Sequence, residues 1–126
     1  MKYMLLAYTP RDAWDTMDVT SDEFQAACAV YVDLSQELAA SGELVSTEGL
    51  GHPSLSRTIR PSADGPLVSD GPFAEAKEVL VSFSIIDVTD HDRALAIAAR
   101  VVAGVGDAIE LRPIMDGPSE EGLPDR

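Results

Sequence analysis

The stretch that decides the fold is Val79-Leu80-Val81-Ser82-Phe83-Ser84-Ile85-Ile86-Asp87-Val88. Its β-branched and aromatic residues predict a long strand, and apolar residues occur on both faces of that strand. One face carries Val79, Val81, Phe83 and Ile85, and the other carries Leu80, Ser82, Ser84 and Ile86. A strand of this kind needs apolar cover on both sides of its sheet.

A second strand with apolar side chains on both faces is predicted at residues 2–8, where Met4 and Leu6 alternate with Leu5 and Ala7. This pattern is typical of a central strand rather than an edge strand. Helices can cover only one face of such a sheet, and an uncovered apolar face is a liability. We therefore expect a second copy of the chain to cover the other face in a symmetric homodimer.

The longer of two predicted helices covers residues 22–41. Ser21 is a suitable N-cap, and Gly42 stands where helices commonly end. Apolar residues recur between them at spacings of three and four, which predicts one buried face. These residues are Phe24, Ala27, Cys28, Tyr31, Leu34 and Leu38.

The other predicted helix begins after a cap at Thr89 or Asp90 and reaches Gly104. Its buried face is predicted to carry Ala94, Leu95, Ile97, Ala98, Val101 and Val102. The segment before the first helix, residues 9–20, is polar and is predicted to be a loop that carries Trp14.

The remaining strands complete the pattern. Residues 43–50 predict a strand, residues 56–60 and 66–69 predict a small hairpin, and residues 108–115 predict a last strand. Pro113 lacks a donor for the ladder, which places this last strand at a sheet edge. The order β-α-β, hairpin, β-α-β makes two split βαβ units. We therefore expect an α+β ferredoxin-like fold with an inserted β-hairpin, an antiparallel sheet and two helices on one face.

The length of 126 residues fits one domain. We place this domain at residues 1–115. Residues 116–126 are rich in proline, glycine and glutamate and have little to bury, so we expect a flexible acidic tail.

The net charge of −13 argues against nucleic-acid binding, which requires a concentration of lysine and arginine. The same charge disfavours anionic membrane surfaces, and no stretch approaches the roughly 20 apolar residues of a membrane span. The single cysteine, Cys28, cannot form an internal disulfide. We expect a cytoplasmic protein.

The absence of several motifs argues against the corresponding enzyme classes. The sequence has no P-loop, no Gly-x-Gly-x-x-Gly after a strand and no Gly-x-Ser-x-Gly elbow. Cys28 lies on the predicted buried helix face, where a thiol is a poor nucleophile. The two histidines, His52 and His91, are far apart in the sequence and do not indicate a zinc site. We expect neither a cofactor nor a metal.

The strand predicted at residues 79–88 is preceded by a segment here called the nonapeptide, Asp70-Gly71-Pro72-Phe73-Ala74-Glu75-Ala76-Lys77-Glu78. The nonapeptide resembles the signature of the DGPF group within the YCII-related family, and the similarity extends from Met1-Lys2-Tyr3-Met4-Leu5-Leu6 to Glu110-Leu111-Arg112-Pro113. The resemblance implies a ferredoxin-like fold that pairs into a dimeric α/β barrel. It also implies a site near Asp70, but it names no reaction.

Asp70 has two alternative roles. Its carboxylate could cap the amides of Phe73 and Ala74 as an Asx turn, because Pro72 restricts the backbone around it. Alternatively it is a carboxylate at the rim of a cleft walled by Phe73, where a raised pKa would suit acid–base catalysis.

Two further groups are candidates for acid–base chemistry. Glu75 and Lys77 share a face if the nonapeptide is extended, whereas a helical turn would bring Glu75 to Glu78. The alternative is a solvated run of charges. His52 lies in a turn-rich loop and is a candidate base because imidazole titrates near neutrality; the alternative is an exposed loop histidine. The resemblance bears on His52 as well, since YCII-related proteins outside the DGPF group are proposed to use a histidine–aspartate pair.

Candidate ligand-binding residues are Phe73, Arg57, Arg112 and Trp14. Arg57 and Arg60 face opposite ways on a flat strand, so they cannot clamp one carboxylate together. Arg112 either pairs with Glu110 or binds an anionic ligand. Trp14 covers a pocket or packs at the dimer interface.

Two functions follow from these patterns and the resemblance. The first is a small-molecule-binding protein, an isomerase- or lyase-like enzyme with acid–base groups near Asp70. The second is a non-catalytic dimeric interaction module with a regulatory protein partner, because relatives often occur alongside alternative sigma factors. A purely structural role of the nonapeptide is a third alternative.

Overall fold

The computed structural model describes residues 1–115. The strands are β1 (Lys2–Pro10), β2 (Leu44–Gly49), β3 (Arg57–Arg60), β4 (Leu67–Asp70), β5 (Glu78–Asp87) and β6 (Ala108–Pro113). The helices are α1 (Arg11–Asp15), α2 (Asp22–Ser41) and α3 (His91–Val105), and a single 3-10 turn covers Pro53–Leu55. The tail predicted at residues 116–126 lies outside the described residues.

Four strands form one antiparallel sheet in the order β2-β5-β1-β6, while β3 and β4 pair with each other in a separate two-stranded sheet. The predicted mixed α+β class is confirmed, and the strand order is compatible with a ferredoxin-like fold. β1 is central and β6 is at the edge, as the apolar pattern and Pro113 predicted. Pro113 needs no ladder partner on its outer side.

The helix ends follow from local chemistry. The Ser21 hydroxyl accepts a hydrogen bond from the Phe24 amide at the start of α2, and Gly42 ends the helix in the left-handed region with φ 81°. The Asp90 side chain accepts from the Arg93 amide at the start of α3. The predicted bounds of α2 and the N-cap at Asp90 are therefore confirmed.

The predicted end of α3 at Gly104 is wrong, because the helix continues to Val105 and Gly106 is its C-cap, with φ 91°. Gly104 serves a different purpose. A Cβ at residue 104 would lie only 2.7 Å from Cγ1 of Val30, so this glycine permits the close approach of α3 to α2.

The hydrophobic core lies between the helices and one face of the sheet. Tyr3 of β1 stands opposite Ile86 of β5, and both side chains are buried against the helices. The helices contribute Leu34, Leu38, Ala94, Ile97, Ala98 and Val101 to this cluster. Both longer helices therefore pack on the same face of the sheet.

The opposite face of the sheet is also apolar. Met4 stands opposite Ile85, and Leu6 stands opposite Phe83. All four side chains are half-buried, and within residues 1–115 they lie outside the core cluster. The strand thus carries apolar side chains on both faces, but the predicted face sets are wrong at its start. A bulge between Leu80 and Ser82 shifts the register, so Val79, opposite Thr9, lies on the helix face and Leu80, opposite Tyr8, lies on the other face.

Three predictions of burial or loop structure are wrong. The predicted loop 9–20 contains the short helix α1, and Cys28 is exposed rather than buried. Leu95 and Val102 are also exposed, at 48% and 44%. Only the second half of α2 packs tightly, through Leu34 and Leu38, because its first half borders an open cleft.

Candidate functional site

A cleft of about 800 Å³ lies between α1, the first half of α2, the end of α3 and the strands β1 and β5. Its aromatic walls are Trp14, Phe24 and Tyr31. The described residues that line it include three carboxylates and no lysine, arginine or histidine. The carboxylates belong to Asp18, Glu23 and Asp107. The cleft therefore combines an apolar interior with negative charge.

One hydrogen bond joins two titratable groups in this cleft. The Tyr31 hydroxyl donates to Oδ2 of Asp107 across 3.4 Å. Burial raises the pKa of Asp107 above its usual value, and the hydrogen bond from Tyr31 opposes this effect. Burial also raises the pKa of Tyr31, while the Ser82 hydroxyl acts in the opposite direction. Groups with shifted pKa values in a cleft are typical of functional sites.

Asp107 has an unfavourable position. It directly follows Gly106, the C-cap of α3, where the helix dipole is negative. The last turn of α3 carries no basic residue that could offset this charge. Fold stability therefore gives no reason for a carboxylate here, which supports a role in binding or catalysis.

Two polar atoms of residues that line the cleft lack a protein partner. Trp14 Nε1 and Thr9 Oγ1 are buried and form no hydrogen bond within residues 1–115. A buried donor without a partner costs free energy, and burial leaves neither atom accessible from the cleft. Trp14 therefore offers the cleft an aromatic surface.

His52 lies beside this cleft, in contact with Trp14. The two rings are 5.2 Å apart between centroids and nearly perpendicular, at 82°. His52 Nδ1 accepts a hydrogen bond from the Ser54 amide, and the residue is exposed. His52 therefore reaches the cleft only through Trp14.

A smaller cavity of about 450 Å³ adjoins the cleft. The two share Tyr31, Gly49 and Ser82, so Tyr31 stands between them. The smaller cavity is bordered by Thr47 and Glu48 of β2. A ligand longer than the cleft could extend along this path.

The nonapeptide is held by Arg11, a residue that the sequence pattern did not single out. Its guanidinium Nη1 donates to the carbonyl oxygens of Phe73, Ala74 and Ala76 at 3.2, 3.3 and 3.3 Å. The Arg11 amide also donates to the Lys77 carbonyl at 2.9 Å. These bonds attach the nonapeptide to the start of α1.

Asp70 adopts neither of its two predicted arrangements. Its Oδ1 lies 3.2 Å from Nε of Arg57, and its side chain is 89% exposed. It is not among the residues that line the cleft, and its described partner is Arg57 rather than the amides of Phe73 and Ala74. Gly71 adopts the left-handed φ of 83° instead of the extended geometry expected before proline. The catalytic role of Asp70 stays a prediction.

Glu75 pairs with Arg60 rather than with Lys77. A hydrogen bond from its own backbone amide and one from Arg60 lower the pKa of Glu75. The Arg60 guanidinium also lies 4.7 Å above the Phe73 ring. Lys77 is exposed, so the structure does not bring the predicted Glu75–Lys77 pair together.

Arg112 lies on the sheet face opposite the helices, in register with Met4. Its Nε is 3.9 Å from Oε2 of Glu110, which agrees with the predicted pairing on a shared face. Of the predicted site residues, only Trp14 lines the cleft. His52 does not line it but packs against the Trp14 ring.

Sequence reasoning missed Tyr31, Asp107 and Thr9 as site residues. The apolar spacing of α2 predicts Tyr31 in its buried stripe, and the hydroxyl adds no separate signal. Asp107 does carry a signal, because an acidic residue after a helix-ending glycine opposes the helix dipole. No helix within residues 1–115 is sufficiently long and apolar to cross a membrane, and no group of three or more metal-ligating side chains is found there.

Comparison with known proteins identifies relatives. A family model described as the YCII-related domain matches residues 1–117. An uncharacterized protein of Rhizobium meliloti (strain 1021) is 34% identical over 101 residues, which cover 78% of this chain and 77% of that protein. The name of that relative assigns it no activity.

Proposed function

This chain belongs to the YCII-related family, and from that premise we propose that it is a small-molecule-binding protein whose ligand occupies the cleft beside Trp14. The supporting observation is the Tyr31–Asp107 hydrogen bond inside a cavity with aromatic walls. A volume of about 800 Å³ lies within the range of small-molecule sites, which are mostly apolar with a few convergent polar groups.

The same pair supports an acid–base activity of the isomerase or lyase kind. A carboxyl group with a raised pKa accepts and returns a proton more readily near neutral pH than an ordinary aspartate does. Tyr31 would hold the Asp107 carboxylate in position and keep one oxygen free for a substrate. Asp70, His52, Glu75 and Lys77 remain predicted catalytic residues, and His52 is the one closest to the cleft, through its contact with Trp14.

The remaining finer assignments belong to the same proposal. The chain is a member of the DGPF group with one domain at residues 1–115, and β3 and β4 form a hairpin inserted into a ferredoxin-like core. A second copy covers the sheet face of Met4, Leu6, Phe83 and Ile85, which gives a dimeric α/β barrel. The support is that these side chains are apolar and lie outside the core cluster.

The alternative function is an interaction module for a regulatory protein partner such as a sigma factor. One observation favours it. Ile59 and Val68 stand opposite each other on β3 and β4 and are 62% and 59% exposed. Leu67, which pairs with Arg60 on the other face, is 61% exposed, and Leu55 just before β3 is 76% exposed. Both faces of this two-stranded sheet therefore carry exposed apolar side chains for contact with a partner.

The single tryptophan makes a direct test available. Trp14 lines the cleft, so its fluorescence reports on ligands that enter there. We would screen a metabolite library by Trp14 emission and by thermal shift, using the wild type, Asp107→Asn and Asp70→Asn. The proposal expects hits that Asp107→Asn weakens and Asp70→Asn leaves unchanged.

Two other outcomes would change the assignment. A ligand lost only in Asp70→Asn would move the site to the nonapeptide. A library without any hit would refute small-molecule binding in the cleft and favour the interaction module.

A further inference from the structure

We propose that the cleft selects an organic cation: a protonated amine on an apolar body. This inference rests on the proposed function, since it names the class of ligand for the same cleft. It is carried by the placement of Asp107 and by the charge and aromatic content of the walls.

The charge of the cleft excludes an anion as its preferred ligand. Its described lining contains three carboxylates and no basic side chain. Asp18 is already engaged, because it accepts hydrogen bonds from the Thr20 amide and hydroxyl at 2.9 and 2.6 Å. Asp107 accepts only the 3.4 Å bond from Tyr31 and has no basic partner among residues 1–115. A cation is the group that would complete its coordination.

The end of α3 strengthens the same preference. The last carbonyl oxygens of a helix point outward and carry partial negative charge. Asp107 stands immediately beyond Gly106, so its carboxylate adds to this field. A negative group at this place is disfavoured, whereas an ammonium group would interact favourably with both the carboxylate and the helix end.

The walls suit the organic part of such a ligand. Trp14, Phe24 and Tyr31 present aromatic surfaces, and Val81 and Val105 are aliphatic. Aromatic faces attract cations through the ring quadrupole, and the attraction is greatest for tryptophan. A bare metal ion would need several oxygen or nitrogen ligands, and no such group of side chains is found in the described part of the chain.

Three probes of nearly equal shape test the charge preference. They are 2-phenylethylamine, which is cationic at neutral pH, 2-phenylethanol, which is neutral, and phenylacetate, which is anionic. Each is titrated into the protein while Trp14 fluorescence is recorded. The amine should bind at least about tenfold more tightly than the alcohol, and phenylacetate should bind most weakly, because a charge-assisted bond is stronger than a neutral one.

Variants locate the effect. Asp107→Asn should weaken amine binding at least about tenfold and leave the affinity for the alcohol within about twofold. Asp33→Asn removes a charge from an exposed position of α2 outside the described cleft lining and should change neither affinity. Amine binding should also weaken as the pH falls, because protonation removes the negative charge of Asp107.

Several results would overturn the inference. These are tighter binding of phenylacetate, equal binding of amine and alcohol, or unchanged amine binding in Asp107→Asn. The first two results would still show a ligand beside Trp14, so the proposed function would stand. If none of the three probes changes the emission, the cation preference is wrong. The metabolite screen then decides separately whether the cleft binds anything.

Discussion

The Tyr31 hydroxyl and the Asp107 carboxylate meet at 3.4 Å although 76 residues separate them in the chain. Tyr31 comes from the middle of α2 and Asp107 from the corner between α3 and β6. Their contact requires α3 to pack closely on α2. The geometry of the site therefore depends on the packing of α3 on α2, to which residues outside the cleft contribute.

Replacing Asp107 should stabilise the protein at neutral pH. Burial raises its folded pKa above the usual 3.8, so the folded state binds the proton more tightly than the unfolded state. Stability is therefore lost as the pH rises from about 3.8 through the folded pKa. Asp107→Asn avoids this loss, and urea denaturation at pH 7 should show a gain of up to about 1 kcal/mol.

The gain should shrink as the pH falls through the raised folded pKa, and it should vanish well below 3.8, where Asp107 is protonated in both states. Asp33→Asn is the exposed control and should change stability by less than about 0.5 kcal/mol. A loss of stability in Asp107→Asn at pH 7 would mean that the carboxylate has a structural role.

The Glu43–Arg93 pair should make stability fall in acid. Arg93 Nε and Nη2 each donate to a Glu43 oxygen at 2.9 Å, in a bidentate arrangement. Hydrogen bonds from Arg93 and then Ser41 lower the pKa of Glu43 from 4.5 to about 2. The stabilisation is therefore complete above about pH 4.5 and is lost as the pH falls towards 2.

Glu43→Gln should cost about 1–2 kcal/mol at pH 7 and should flatten the stability curve between pH 4.5 and 2. Thermal denaturation across this range measures both effects. If the stability of Glu43→Gln falls between pH 4.5 and 2 as steeply as that of the wild type, another carboxylate is responsible.

Gly104→Ala should destabilise the protein, although alanine favours helices by about 1 kcal/mol over glycine. The added Cβ would lie 2.7 Å from Cγ1 of Val30, and valine in a helix has little rotamer freedom. We expect a net loss of about 1–2 kcal/mol by urea denaturation.

A second background tests the cause. With Val30→Ala the crowding is removed, and Gly104→Ala should then stabilise by up to about 1 kcal/mol. If Gly104→Ala changes the stability in the same direction in both backgrounds, steric contact between α2 and α3 is not the reason for this glycine.

Removing the Arg11 side chain should loosen the nonapeptide. Its guanidinium Nη1 binds the carbonyl oxygens of Phe73, Ala74 and Ala76. Arg11→Ala should cost about 1 kcal/mol and increase protease cleavage between residues 73 and 77. Lys77→Ala is the control, because that side chain is exposed. Equal cleavage of Arg11→Ala and the wild type would contradict the anchoring role.

The proposed dimer makes opposite predictions for two apolar surfaces of the chain. Phe83→Lys places a charge on the apolar sheet face and should weaken dimerisation at least about a hundredfold in sedimentation equilibrium. Val68→Lys, on the β3–β4 sheet, should leave the dimer intact. A monomeric wild type would refute the dimer, and dissociation by Val68→Lys alone would place the interface on β3 and β4.

Much of the fold could be predicted from local patterns. The caps at Ser21, Gly42 and Asp90 fix where helices start and stop, since each satisfies backbone groups within a few residues. The apolar pattern of β1 and the proline in β6 predicted a central and an edge strand. These features depend on neighbours in the chain, so the sequence alone determined them.

The position of the site depended on tertiary structure. The nonapeptide was the most distinctive segment, yet its carbonyl groups are bound by Arg11, and Asp70 lies exposed beside Arg57. Gly104 shows the same limit, because a glycine is needed there by the short distance to Val30 and not by a helix end. Whether a glycine or an aspartate is structural or functional depends on what lies opposite it, and periodicity carries no such information.

The sequence by itself determined the order of the strands and of the two longer helices, the family and the apolar character of both sheet faces. Only the tertiary structure decided that Tyr31 and Asp107 share a cleft with Trp14, because residues distant in the chain meet through helix packing. Burial then shifts the pKa values of the pair, and burial is a property of the folded chain.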